Sequence, residues 1–258
     1  MTALSQLGAG RRSRGSSSRR CLALDLGSAQ THAWMPDRGL VLDTPTITPA
    51  ELGYPVRRGS IVDTVGASRI LARLINSRGA PGDRPALVVM TMPVLATVAD
   101  RLAALTAIDV LQPGAVLTIE SVKAAAFGAG ADLVEPLLVV DLGADLTEVA
   151  VLSNGSLIEA RRAPLGISDF GRGSTGDDLA TSVGDMVTDL LRRDCGPQVV
   201  DALDRGPLLT GGGALRPAVT YRIAKRLSAP IRTAPAPHTA AVRGACAARL
   251  AVDRHPAS

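Results

Sequence analysis

Two stretches decide the fold: C-L-A-L-D-L-G-S-A-Q-T at 21–31 and L-L-V-V-D-L-G-A-D-L-T at 137–147. In each, a short apolar run delivers an Asp, then Leu and Gly, and a Thr follows six positions after the Asp. One D-L-G alone is a weak signal, because tight turns often use Asp and Gly. Two in matching context, each opening a strand–turn–strand unit, point to two related lobes; the plainer alternative is two ordinary hairpins. The chemistry of the pair is coherent. A Gly turn brings backbone N–H groups close to phosphate oxygens, and an Asp at a strand end can hold a hydrated Mg²⁺. Two such turns facing each other would clamp a triphosphate between lobes.

A third element, Leu209-Thr210-Gly211-Gly212-Gly213-Ala214-Leu215, lies directly after a strand and before a helix. Three glycines permit close backbone approach to a planar base or ribose. The patterns G-x-x-x-x-G-K-[ST] and G-x-G-x-x-G are both absent, so P-loop and Rossmann readings lose their main support.

Outward from these motifs, strands alternate with helices, which indicates an α/β fold. Extended segments are predicted at 21–24, through Trp34, at 40–42, 86–90, 116–119, 137–140, 148–152 and 157–160, and at Leu208-Leu209. Asn154-Gly155 is a hairpin turn. Helical spacing predicts helices through Val65, Ile70, Leu71, Leu74 and Ile75; over 94–105, with Val98, Leu102 and Leu105 on one face; and over 121–129 and 181–192. Further helices are predicted from Pro217 to Leu227 and over about 239–252. The run 45–59 reads as loop, and 76–85 as a turn-rich connection.

The chain has 258 residues, enough to bury a real core, with 46% hydrophobic and 20% charged residues. Aromatics are 2%, so the core must be built from Ala, Val, Leu and Ile, and a single-strand nucleic-acid binder would lack stacking platforms. No apolar run reaches membrane-spanning length. The three cysteines, Cys21, Cys195 and Cys246, lack metal-ligand spacing, and a reducing cytoplasm fits them. The net charge of +4 is misleading. Arg11, Arg12, Arg14, Arg19 and Arg20 lie in the first twenty residues, which carry no acid, leaving 23 basic against 24 acidic residues in the remainder. Residues 1–20 read as a disordered basic tail, with attraction to anionic lipid as its sharper reading. His32, His238 and His255 are scattered along the chain and read as bland.

The order D-L-G-S-A-Q-T (25–31), L-V-L-D-T-P-T-I-T (40–48), I-E-S-V-K-A-A-A-F-G-A-G (119–130), V-V-D-L-G-A-D-L-T-E-V-A-V (139–151), L-T-G-G-G-A-L (209–215) and H-T-A-A-V-R-G-A (238–245) resembles the MreB-like bacterial actin homologues of the actin-like ATPase superfamily. The resemblance covers nearly all of the chain after the tail. It implies a two-lobed actin-like fold, with a first lobe at 21–130 and a second at 131–258. Residues 25–31 and 141–147 would be the two phosphate loops, 119–130 and 238–245 the connecting helices at the interlobe hinge, and 210–215 the adenosine loop. The implied nucleotide-binding residues are Asp25, Gly27, Ser28, Ala29, Gln30, Asp141, Gly143, Thr147, Gly211, Gly212, Gly213 and Ala214. Asp25 and Asp141 would hold Mg²⁺, with ATP as the nucleotide.

Two departures qualify what the resemblance implies. The second phosphate loop in such proteins reads D-I-G-G-G-T-T-E, and here it is D-L-G-A-D-L-T-E. Ala144 and Asp145 replace glycines, and Leu146 replaces a threonine that helps orient the attacking water. The water-polarising Glu of these relatives aligns with Ala99, one position before Asp100. No catalytic residue is assigned, and ATP hydrolysis is expected to be weak or lost. The second departure is length. The two small subdomains, insertions expected after 40–48 and after Gly166, are read as missing; only 49–55 and the Gly-rich 166–178 stand there.

The resemblance thus implies a cytoskeletal protein supporting cell-shape, cell-wall or spore-wall assembly, beside full-length paralogues in sporulating bacteria. Its implied partners are further copies of itself, an intact MreB-like paralogue, cell-wall synthesis machinery and, through the tail, anionic membrane, but not nucleic acid. Its implied location is the cytoplasm, peripheral to the inner membrane face. The alternative is an active small-molecule kinase or ATPase of the same superfamily, for which the chain has no room for a substrate-binding insertion. A chaperone-type ATPase lacks its substrate domain here.

Overall fold

The computed structural model describes residues 21–48, 53–77 and 84–254. The basic segment 1–20, Pro49–Leu52, 78–83 and His255 lie outside the described residues, with the expectations attached to them.

The first motif builds β1 (Cys21–Leu26), the second β8 (Leu137–Leu142), and an equivalent sheet grows around each. The first lobe adds β2 (Gln30–Met35), β3 (Gly39–Pro45), β6 (Leu87–Met92) and β7 (Val116–Glu120), in the order β3-β2-β1-β6-β7. The second adds β9 (Thr147–Ser153), β10 (Ser156–Ala163), β11 (Leu208–Thr210) and β12 (Arg232–Thr233), in the order β10-β9-β8-β11-β12. In both, the central strand pairs antiparallel with the next strand in sequence and parallel with a strand reached through a crossover. The two lobes therefore share one topology, as the repeat implies. A separate hairpin, β4 (Val56–Arg57) with β5 (Ser60–Ile61), interrupts the stretch read as loop.

Period-two alternation sends the two faces of each central strand into different cores. Leu22 and Leu24 face a core shared with the first two helices, α1 (Thr64–Ser77) and α2 (Val98–Ile108), while Cys21 and Ala23 face the middle of the molecule. Leu138, Val140 and Leu142 face α4 (Gly176–Leu191), α5 (Gly196–Arg205) and α6 (Pro217–Leu227), while Leu137 and Val139 join the middle. That middle core holds α3 (Ser121–Gly128) and α7 (Ala240–Arg254), which cross in direct contact; α7 also packs on β1 and β6. A Cβ on Gly128 would lie 1.9 Å from the Ala240 carbonyl oxygen, and one on Gly244 1.7 Å from that of Ala124. The two helices thus meet backbone to backbone.

Several elements differ from the sequence reading. Helix α2 starts at Val98, not Val94, because Thr97 and Asp100 form a reciprocal capping box. Its stripe of Val98, Leu102 and Leu105 points to solvent, at 74%, 59% and 44% exposure, and the buried face is Ala104, Ala107 and Ile108. Small side chains let α2 approach α1, where Ser68 Oγ donates to the Ala107 carbonyl. Val65 is likewise exposed, while Ile70, Leu71 and Leu74 are buried. Helix α4 begins five residues earlier than predicted, at a capping box of Thr175 and Asp178. Helix α5 and strand β12 were not anticipated. Between Ala163 and α4 the chain makes only a 3₁₀ turn at Ile167–Asp169 and an isolated bridge, Phe170 to Ser174, with no compact unit above the second lobe. Among the described residues, no helix is long and apolar enough to cross a membrane.

Candidate functional site

The C-terminal ends of β1 and β8 open into one cleft between the lobes, a cavity of about 400 Å³. Each strand ends in the same turn. Gly27 N donates to Gln30 O (3.0 Å), and Gly143 N donates to Leu146 O (2.9 Å). Glycine is required in both, since a Cβ would come within 2.9 Å and 2.7 Å of those acceptors. The second turn is also braced from outside: Ile167 N and Ser168 N donate to the carbonyls of Gly143 and Ala144. The triple-Gly loop closes the floor. Gly211 has φ +80° and donates to Pro237 O, and a Cβ there would meet Asp141 Oδ1 at 2.3 Å.

Of the residues singled out in the sequence, Asp25, Gly27, Ser28, Ala29, Gln30, Asp141, Gly143, Gly211 and Gly212 line this cavity together. Three do not. Thr147 is fully buried and donates to the Leu165 carbonyl (2.7 Å), Gly213 packs against Leu142, and Ala214 sits in the second lobe's core. They support the loops from behind. Ala144, Asp145 and Leu146 do line the cleft, whereas Ala99 is exposed on α2 away from it, and Asp100 is committed to its cap.

The cleft also gathers residues that sequence reasoning passed over. Glu148, the final residue of the D-L-G-A-D-L-T-E motif, is buried and accepts from Val94 N (2.5 Å) and Ser121 Oγ (2.9 Å), bonding across the lobes. Burial, with the nearby Asp141 carboxylate, raises its pKa to about 8. Asp141 is raised to about 6 by burial and by Asp25. Asp25 accepts from Thr91 Oγ1 (2.6 Å). His32, read as bland, is 6% exposed, with Nδ1 3.8 Å from Asp25 and Nε2 3.4 Å from Asp43. Burial opposes its charge, but Asp25 and Asp43 outweigh that and raise its pKa. His238, also read as bland, brings its ring to 6.3 Å from that of His32. The usable signal was register: His32 and Glu148 each follow a strand-end Asp by seven positions.

The arrangement presents acidic groups and backbone N–H groups to a narrow space. Among the described residues, no three His, Cys, Asp or Glu side chains form a metal site by themselves. Two carboxylates, Asp25 and Asp141, on one cleft fit an ion that takes part of its coordination from water and phosphate, as Mg²⁺ does.

The family model described as MreB/Mbl protein matches residues 48–171. The cell shape-determining protein MreB of Escherichia coli K12 is 28% identical over 185 residues, covering 58% of this chain and 52% of that protein, so the chain spans about half the length of the first curated relatives it matches. The cell shape-determining protein Mbl of Bacillus cereus is 24% identical, with 86% of this chain and 94% of that protein covered. Among solved structures, MreB5 of Spiroplasma citri bound to AMPPNP superposes with a TM-score of 0.80 at 17% identity, over 91% of this chain and 97% of that one. The ethanolamine utilization protein EutJ of Carboxydothermus hydrogenoformans gives 0.62 at 16%, over 87% and 88%. These structural likenesses show the fold.

Proposed function

We propose that this chain, an MreB-like protein of the actin fold, binds an adenine nucleotide in its interlobe cleft and serves cell-shape or wall assembly with little or no hydrolysis. The observation that carries the reading is the convergence of three loops, 25–31, 141–147 and 210–215, on one cavity. The first two offer glycine turns to phosphates, and the third offers Gly211 and Gly212 to the nucleoside. Spiroplasma citri MreB5 has been solved with AMPPNP and with ADP, which supports the same use of the same fold. Asp25 and Asp141 would hold Mg²⁺, which supplies charge neutralisation between their carboxylates and the phosphates.

Weak turnover follows from local chemistry. The Leu146 side chain has no hydrogen-bonding group with which to orient water, and it lines the cleft beside Gly59 and Pro93. Asp145 adds negative charge beside the phosphates. The chain works with copies of itself or with a longer paralogue, and wall-synthesis partners and peripheral membrane contact remain part of this proposal. Isothermal titration with ATP·Mg and with a non-hydrolysable analogue, run beside a phosphate-release assay, tests it. Binding of both without phosphate release is the expected result. Phosphorylation of an added metabolite would move the chain to the kinases.

A further inference from the structure

The lobes are joined at the rim of the cleft by an ion pair that neither motif announces. Arg58 sits in the β4–β5 turn of the first lobe with φ +48°, followed by Gly59 at +80°. These two left-handed residues turn the Arg58 side chain toward the second lobe. Its Nη1 donates to Asp169 Oδ2 and its Nη2 to Asp169 Oδ1, both at 2.7 Å, and Nη1 also donates to the Asp145 carbonyl at 2.8 Å. Asp169 is held to receive it, since its Oδ2 also accepts from Gly166 N (2.9 Å) in the turn that braces the second phosphate loop.

A forked guanidinium–carboxylate pair is directional as well as charged, so it fixes the relative position of the segments it joins. Here one segment is a short hairpin of the first lobe, and the other is the loop 143–146 together with its brace. Directly beneath, a Cβ on Gly59 would lie 2.7 Å from Leu146 Cδ2, so the hairpin backbone rests on the leucine. Val94 of the first lobe is gripped in addition through both backbone groups, by Glu148 and by Arg162 Nη1 (3.3 Å).

We propose that Arg58 and Asp169 form an interlobe latch that holds the cleft shut over the second phosphate loop, and that ligand enters and leaves only when the latch opens. The second clause rests on the nucleotide reading; the first does not. Arg58 acts as a positioning residue through Asp145 and Asp169. Opening breaks two charge-assisted bonds and one carbonyl bond at once, while the crossing of α3 and α7 in the middle core remains as the hinge.

The test separates the two clauses. Spin labels at exposed positions in each lobe, Arg38→Cys and Thr181→Cys, report interlobe distance by electron–electron resonance without any nucleotide, since the native cysteines are buried. The parent should give one narrow distribution, and Arg58→Ala and Asp169→Ala a wider, longer one. The double alanine variant should be no wider than Arg58→Ala, because that change already removes every interlobe bond of the latch, including the one to the Asp145 carbonyl. Stopped-flow binding of a fluorescent ATP analogue with Mg²⁺ should then show entry and release faster by about threefold to fivefold in each variant. Arg58→Lys keeps the charge without the fork and should fall between; it also carries the test should an alanine variant fail to fold. Unchanged distance distributions in the variants would overturn the latch. Wider distributions with no analogue bound by any protein would keep the latch and overturn the nucleotide reading.

Discussion

Glu148 stands in the second lobe where His32 stands in the first: each is the cross-strand partner of the penultimate aspartate of the central strand, Asp141↔Glu148 and Asp25↔His32. The shared topology places an acid in one lobe and a base in the other on the walls of one cleft. The two lobes are thus repeats in backbone but not in charge, and the cleft carries an internal electrostatic asymmetry.

Glu148 gives the cleft a pH signature. Its folded pKa, about 8, lies above its ordinary value of 4.5. The folded state therefore binds more protons than the unfolded state between those values, and stability falls as pH rises through that window. Glu148→Gln should remove this part of the dependence. Urea midpoints measured from pH 5 to 8.5 should decline less steeply in the variant than in the parent, and parallel profiles would contradict the assignment.

The hinge should be intolerant of a single methyl group. Gly244→Ala places a Cβ 1.7 Å from the Ala124 carbonyl oxygen, so α3 and α7 must separate. A loss of about 1–3 kcal/mol is expected in denaturant unfolding. Gly155→Ala is the opposite case: its Cβ would meet nothing within 4 Å, so it adds strain at a positive φ without a clash.

Helix α2 offers a contrast between apolar residues. Val98→Ser and Leu102→Ser on the solvent face should change stability by less than about 0.5 kcal/mol. Ile108→Ala, fully buried against α1, should cost about 2–5 kcal/mol. Thermal unfolding of the three variants decides whether the exposed stripe is free of the core.

Asp145 can be tested without disturbing the latch, because Arg58 takes its backbone carbonyl rather than its carboxylate. Asp145→Asn removes one negative charge from the cleft wall and should tighten ATP binding roughly fivefold at low salt, with a smaller gain as ionic strength rises. Equal affinities by titration calorimetry at both salts would show that the carboxylate faces away from the phosphates. Ala99→Glu should leave binding and phosphate release unchanged, since that position is exposed outside the cleft.

What the sequence by itself determined is what nearby residues decide. The two D-L-G turns, the Asn154-Gly155 hairpin with both residues at positive φ, and the strands around them depend on interactions a few positions apart, and their repetition exposed the paired lobes. The glycines of the triple-Gly loop were legible as a close approach, but not that Gly211 makes room for Asp141 while Gly213 makes room for Leu142. Tertiary structure decided the rest. Which face of α2 is inward turns on how closely alanines let it approach α1, and periodicity marks a face without saying where it points. His32, Asp43 and His238 look unrelated along the chain and converge only because β2, β3 and the 3₁₀ turn Pro237–Thr239 before α7 border one cleft. Arg58 and Asp169 are separated by 111 positions, on turns without motif character. A pair that distant is set by the relative placement of two finished lobes, which no local pattern encodes.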